Sequence, residues 1–189
     1  MSLTSHENAL LSSCTFEVDV AEEANVVLIV PCNWQPQWSA ESGVTNNTAC
    51  VRWLDRAYEL MRTWTGEDPN HTHATTHERH RLVLVANGTC DFVFGGVPRP
   101  FIGLRDGLSP RYGTNGWFGW IAHELSHDFF HAQRYNTGRS IWGEGMCDYS
   151  RYHVLSANGM PNAAAEWELS LSVDPPDKYG SSGFLGADV

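Results

Sequence analysis

A chain of 189 residues with 42% hydrophobic and 12% aromatic side chains can bury a sizeable core and lies outside the composition of disordered proteins. Twelve basic against twenty-two acidic side chains leave a net charge of −10, which repels phosphate backbones and argues against nucleic acid and anionic membranes as partners. The longest apolar run, Val26 to Val30, is strand-sized and far short of the roughly 20 residues of a membrane helix, so no membrane span is expected.

In chain order, Thr15 to Val20 alternates apolar and polar residues, as a half-buried strand does. Asn25 to Val30 reads as a buried strand stopped at Pro31. Val51, Leu54, Tyr58 and Met61 recur at helical spacing, with Thr48 as N-cap and Gly66 as stop. A polar, His-rich loop follows over residues 67–80. Arg81 to Ala86 and Cys90 to Phe94 are strand-like, joined by the hairpin signal Asn87-Gly88, and Phe101 to Leu104 forms a short strand. After glycines at 113 and 116, an apolar-faced segment runs from Trp117 to Tyr135. A second helix is expected over Trp142 to Ala157, and a third, capped by Asn162, over Ala163 to Leu171. Strands come first and helices last, the order of an α+β fold with a small mixed sheet packed on the central helices. One domain spanning 1–189 is expected, with lobes of about 1–135 and 136–189 on either side of a cleft.

Residues 123 to 127 read His-Glu-Leu-Ser-His within an apolar-faced segment bearing Phe118, Ile121, Ala122, Leu125 and Phe129. Residues four apart share one helix face, so His123 and His127 can grip one Zn²⁺. Glu124 sits about 100° around the helix. It would stand beside the metal, where a carboxylate can take a proton from an activated water and pass it to a leaving amine. Glu144 follows His127 by seventeen residues, room for a turn at 136–138 and a second helix that returns it to the metal as third ligand. Asp148 lies one helical turn beyond Glu144, placed to accept the second N–H of a ligating imidazole. Without a metal, the two histidines and Glu124 would satisfy one another in a core helix, and Glu144 would serve as a charge at a helix start.

His123, Glu124, His127, Glu144 and Asp148 together resemble the gluzincin metallopeptidases, whose pattern is His-Glu-x-x-His followed by a helix carrying Glu, often with Asp four residues later. Trp142-x-Glu144-Gly145-x-x-Asp148-Tyr149-x-Arg151 resembles the basic secretory proteins of plants and microbes, although the acidic charge departs from that description. The layout of residues 26–130 is similar to that of enhancin-like, mucin-degrading peptidases. The sharp match covers residues 117–152. The resemblance implies a zinc-dependent endopeptidase that hydrolyses peptide bonds of proteins or glycoproteins by a metal-activated water. It also implies a zinc-binding active-site helix, a helical C-terminal lobe carrying the third ligand, and an oxyanion donor. Tyr149 is taken for that last role from among Tyr149, Arg151, Tyr152 and His153. The competing expectation is a non-catalytic zinc-containing module that binds glycans or proteins, against which an intact Glu124 argues.

The metzincin pattern would require Gly at 130 and His at 133, where this chain has Phe130 and Gln133. His131 is a rival third ligand, and the loop containing His71, His73, His77 and His80 a weaker metal site. The strand Phe101 to Leu104 offers an edge for an extended substrate. No basic region leading into an apolar core opens the chain, so a signal peptide is not expected in it. Three N-x-Thr triplets, beginning at Asn46, Asn70 and Asn87, nonetheless favour a secreted or extracytoplasmic protein. Of five cysteines, Cys147 is expected as a buried thiol. Cys14, Cys32, Cys50 and Cys90 have three possible pairings into two disulfides, with a fully reduced protein as the alternative.

Overall fold

A computed structural model describes residues 3–12, 14, 17–32, 41–69, 81–86, 101–104, 116–130 and 141–173. The described elements are α1 (Ser5–Leu11), β1 (Val18–Glu22), β2 (Val26–Pro31), α2 (Asn47–Thr65), β3 (Leu82–Ala86), β4 (Phe101–Leu104), α3 (Gly116–Phe130), α4 (Ile141–Ala157) and α5 (Pro161–Val173). The fold is α+β with a small mixed sheet. The strands lie in the order β1-β2-β3-β4, with β1 antiparallel to β2, and β2-β3 and β3-β4 parallel. The hairpin at Asn87-Gly88, the strand from Cys90 to Phe94, the turn at 136–138 and the His-rich loop fall outside the described residues. So do Gly113, residues 131–135, His131, Asn70, Asn87 and Cys90.

β2 is buried along Val26 to Val30, as suits a strand covered on both faces. Val26, Leu28 and Val30, with Leu82 and Leu84 of β3, join a core shared by all four helices from α2 to α5. The alternate residues Val27, Ile29 and Val83 face the other way, against Leu3 and Leu11 at the two ends of α1. Pro31 does not stop β2 before itself: it is the strand's last residue and pairs with Val18.

α1 was not expected from periodicity, and its cause is local. Thr4 and Glu7 form a capping box: the Thr4 N–H donates to the Glu7 carboxylate at 2.8 Å, and the Glu7 N–H to the Thr4 hydroxyl at 3.2 Å. Glu7, 1% exposed, also accepts from Arg81 at 2.6 and 2.8 Å, which fastens α1 to the start of β3. Burial works to raise the Glu7 carboxyl, but hydrogen bonds from Arg81 and Thr4 and the charge of Arg81 outweigh it and hold the group below its ordinary range.

α2 packs its Val51, Leu54, Ala57, Tyr58 and Met61 face into the core. Its cap is Asn46, not Thr48: the Asn46 side-chain oxygen accepts from the Ala49 N–H at 2.9 Å. Gly66 ends the helix at φ 72°, a left-handed conformation that favours glycine. α5 likewise starts earlier than expected, at Pro161, and its first-turn N–H groups at Asn162 and Ala163 donate to the carboxylate of Glu41 at 2.6 and 3.1 Å. Cys14 is disulfide-bonded, whereas Cys32, Cys50 and Cys147 are thiols. Two bridges among the other four cysteines are therefore ruled out. Cys50 sits within the apolar core, where burial pushes its thiol far up. Among the described residues no helix is long and apolar enough to cross a membrane.

Candidate metal centre

α3 and α4 lie against each other and build the site between them. α3 is held in place by Phe118, Ile121, Ala122, Leu125 and Phe129, all in the core. That packing fixes its rotation and turns His123 (9% exposed) and the part-buried His127 towards α4. Ser126, between them in sequence and fully buried, satisfies its hydroxyl by donating to the Ala122 carbonyl at 2.6 Å.

The imidazoles meet through their far nitrogens: His123 Nε2 and His127 Nε2 are 3.2 Å apart. Their near nitrogens are held by consecutive residues of α4. His123 Nδ1 lies 2.7 Å from Asp148 Oδ1, and His127 Nδ1 lies 3.3 Å from Cys147 Sγ. The same Asp148 oxygen forms an ion pair with Arg151 at 3.2 Å, and the Arg151 guanidinium lies 3.7 Å from the Trp167 ring centroid on α5. An ion-paired carboxylate only accepts, so His123 carries its proton on Nδ1 and presents a lone pair at Nε2.

The separation of the two imidazoles fits a pair sharing one Zn²⁺. Two imidazole nitrogens bound tetrahedrally at roughly 2.0–2.1 Å from one Zn²⁺ lie about 3.3–3.4 Å from each other. Glu144 occupies the α4 position one turn before Cys147 and Asp148; its side chain lies outside what the structure describes. Among the described residues no group of three or more His, Cys, Asp and Glu side chains is placed to hold a metal ion. Glu124 is half-buried, one residue on from His123.

Comparison with protein-family models, curated proteins and solved structures finds no match.

Tyr149 directly follows Asp148 on α4. Its ring packs 4.5 Å from His153 and 5.7 Å from Trp64 of α2, centroid to centroid, in a surface cluster that also takes in Phe130. Arg151, another candidate oxyanion donor, is committed to Asp148 and Trp167. Sequence spacing brought His123, His127 and Asp148 together because helix geometry turns spacing into direction. It did not disclose that Cys147 would stand against His127, which depends on how α4 is rotated over α3.

Proposed function

We propose that this chain is a zinc-dependent endopeptidase of the gluzincin type acting on proteins or glycoproteins, with His123, His127 and Glu144 as metal ligands. The observation that carries the reading is the convergence of two Nε2 atoms at 3.2 Å, with the Nδ1 of His123 anchored on a buried carboxylate. Any buried histidine needs a partner for its N–H, but a carboxylate in that place also gives a metal-binding imidazole added basicity and a fixed tautomer. Zinc bound there would polarise a scissile carbonyl and bring the pKa of a water towards ~7.

The chain's own residues do the rest. Glu124 accepts the water's proton and returns it to the leaving amine. Asp148 holds His123 in register, and Arg151 holds Asp148. Tyr149, beside the site on α4, is the proposed donor to the developing oxyanion. β4, at one edge of the sheet among the described residues, offers backbone groups to an extended substrate. The disulfide at Cys14 supports an extracytoplasmic setting.

The test is elemental analysis together with Glu124→Gln. About one zinc per chain is expected in both proteins, and hydrolysis of a denatured protein or a mucin substrate should drop about 10²- to 10⁴-fold in the variant. Absence of zinc after reconstitution at neutral pH would remove the assignment. A variant that binds zinc and cleaves as fast as wild type would show that Glu124 is not the base. If neither protein cleaves any substrate although both hold zinc, the non-catalytic binding module is what remains.

A further inference from the structure

We infer that Cys147 is a positioning residue whose thiol both donates to and accepts from His127, so that one side chain serves the metal-free and the metal-bound forms of the site. The inference rests on the metal reading above and deepens it.

A neutral imidazole has one N–H and one lone pair, so fixing one nitrogen fixes the other. His123 gives its Nδ1–H to Asp148 and turns a lone pair towards His127 Nε2, 3.2 Å away. Without a cation, two lone pairs would face each other there. The contact becomes a hydrogen bond when His127 carries its proton on Nε2. His127 Nδ1 is then an acceptor, and Cys147 Sγ, 3.3 Å from it, donates its S–H. With a cation between the histidines, both Nε2 atoms must be lone pairs. His127 then carries its proton on Nδ1, and the same sulfur accepts it. The imidazole exchanges one N–H for the other through solvent, and the thiol keeps its proton throughout. No proton is gained or lost by the protein.

Few side chains can do this. A carboxylate such as Asp148 or a backbone carbonyl only accepts, and would lock His127 as an Nδ1–H tautomer with its lone pair against that of His123. Alanine or valine does neither. A thiol is a weak donor and a weak acceptor, and a hydroxyl is both. Cys147 is fully buried on α4 and is not in a disulfide, so its S–H remains to donate. Asp148 and Cys147 thus divide the work: one residue holds His123 in a single tautomer, and its neighbour lets His127 change.

The decisive measurement is the tautomer of His127, read from long-range ¹H–¹⁵N NMR spectra of histidine-labelled protein before and after zinc. Wild type should show the Nε2–H form of His127 without metal and the Nδ1–H form with it, while His123 stays Nδ1–H in both. Cys147→Ala and Cys147→Val should lose the uniform metal-free tautomer and bind zinc about 10- to 100-fold more weakly, as with other groups that support ligands. Cys147→Ser should restore both. An Nδ1–H form of His127 already present without metal would overturn the inference, since the sulfur would then only accept. So would wild-type zinc affinity in Cys147→Ala. Should wild type bind no zinc, the proposed function falls and the accepting role with it; the metal-free tautomer still tests the donating role. If alanine fails to fold, the valine variant fills the buried volume and gives the same readout.

Discussion

The contact between α2 and the sheet and the contact between α3 and α4 are both buried, yet they are made of different material. The first joins Val51, Leu54, Ala57, Tyr58 and Met61 to Val26, Leu28, Val30, Leu82 and Leu84. The second encloses His123, Cys147, Asp148 and Arg151, none more than 9% exposed. Apolar burial is non-directional and stabilises roughly in proportion to area. Polar burial costs free energy unless each group finds a partner, and a buried ion pair often does no better than apolar residues of equal size. A chain selected for stability alone has little reason to build the second contact. On the proposed function, α3–α4 is the place where the fold gives up stability for chemistry.

The comparison can be broken at Asp148. Asp148→Asn removes the carboxylate 3.2 Å from the buried Arg151 guanidinium and is expected to cost about 3–5 kcal/mol in denaturant unfolding. It should also weaken zinc binding about 10- to 100-fold. Adding Arg151→Met removes the guanidinium charge, so the double variant should recover most of the stability while zinc affinity stays low. Joint recovery of both would mean that Asp148 matters to the metal only through the fold.

The opposite change is Leu54→Ala, in the apolar contact. Leu54 is 1% exposed, and its truncation should cost about 2–5 kcal/mol. The folded fraction should keep its zinc stoichiometry and affinity. A loss of zinc affinity comparable to that of Asp148→Asn would erase the distinction between the two contacts.

A smaller effect is expected where a polar cluster serves the fold alone, at Glu7 and Arg81. The folded carboxyl of Glu7 lies below its unfolded value of 4.5. The group therefore contributes stability that is fully present above pH 4.5 and is lost as pH falls through the lowered folded value. Unfolding followed between pH 7 and pH 3 should show a steeper acid loss in wild type than in Glu7→Gln, with no change in zinc binding at neutral pH. Parallel pH profiles in the two proteins would deny Glu7 that role.

These contrasts follow what could be read from the sequence. Helical period placed α2, α3 and α4 to within a residue or two at most described ends, and an unbroken apolar run placed β2, because each signal is local. α1 carried its signal too, the Thr4-x-x-Glu7 box, but seven residues offer too little periodicity to draw attention. The start of α5 was misplaced because the groups receiving its first N–H bonds belong to Glu41, 121 positions before Asn162. At the site, the four-residue spacing of the histidines was legible and the contact between Cys147 and His127 was not. The first is set within one helix; the second is set by packing between two.

The smallest predicted effect concerns the N-terminus of α2, where three successive residues are all good caps. Asn46, Asn47 and Thr48 each carry a side chain able to accept from a helix N–H, and sequence alone favoured Thr48. The structure puts Asn46 at the boundary with φ −161° and ψ 172°, extended values, and its oxygen meets the N–H of Ala49, three residues on. Thr48 is already inside the helix and exposed. Asn46→Ala should therefore cost about 1 kcal/mol, and Asn46→Asp should match or slightly exceed wild type, because a carboxylate keeps the bond and favours the helix dipole. Thr48→Ala should be neutral or stabilising, since alanine is the better helix former at a solvent-facing position. Zinc binding should be unchanged in all three, because the substitutions alter the start of α2 and leave in place the core it shares with α3. The reverse order, with Thr48→Ala costing more than Asn46→Ala, would move the helix start by two residues.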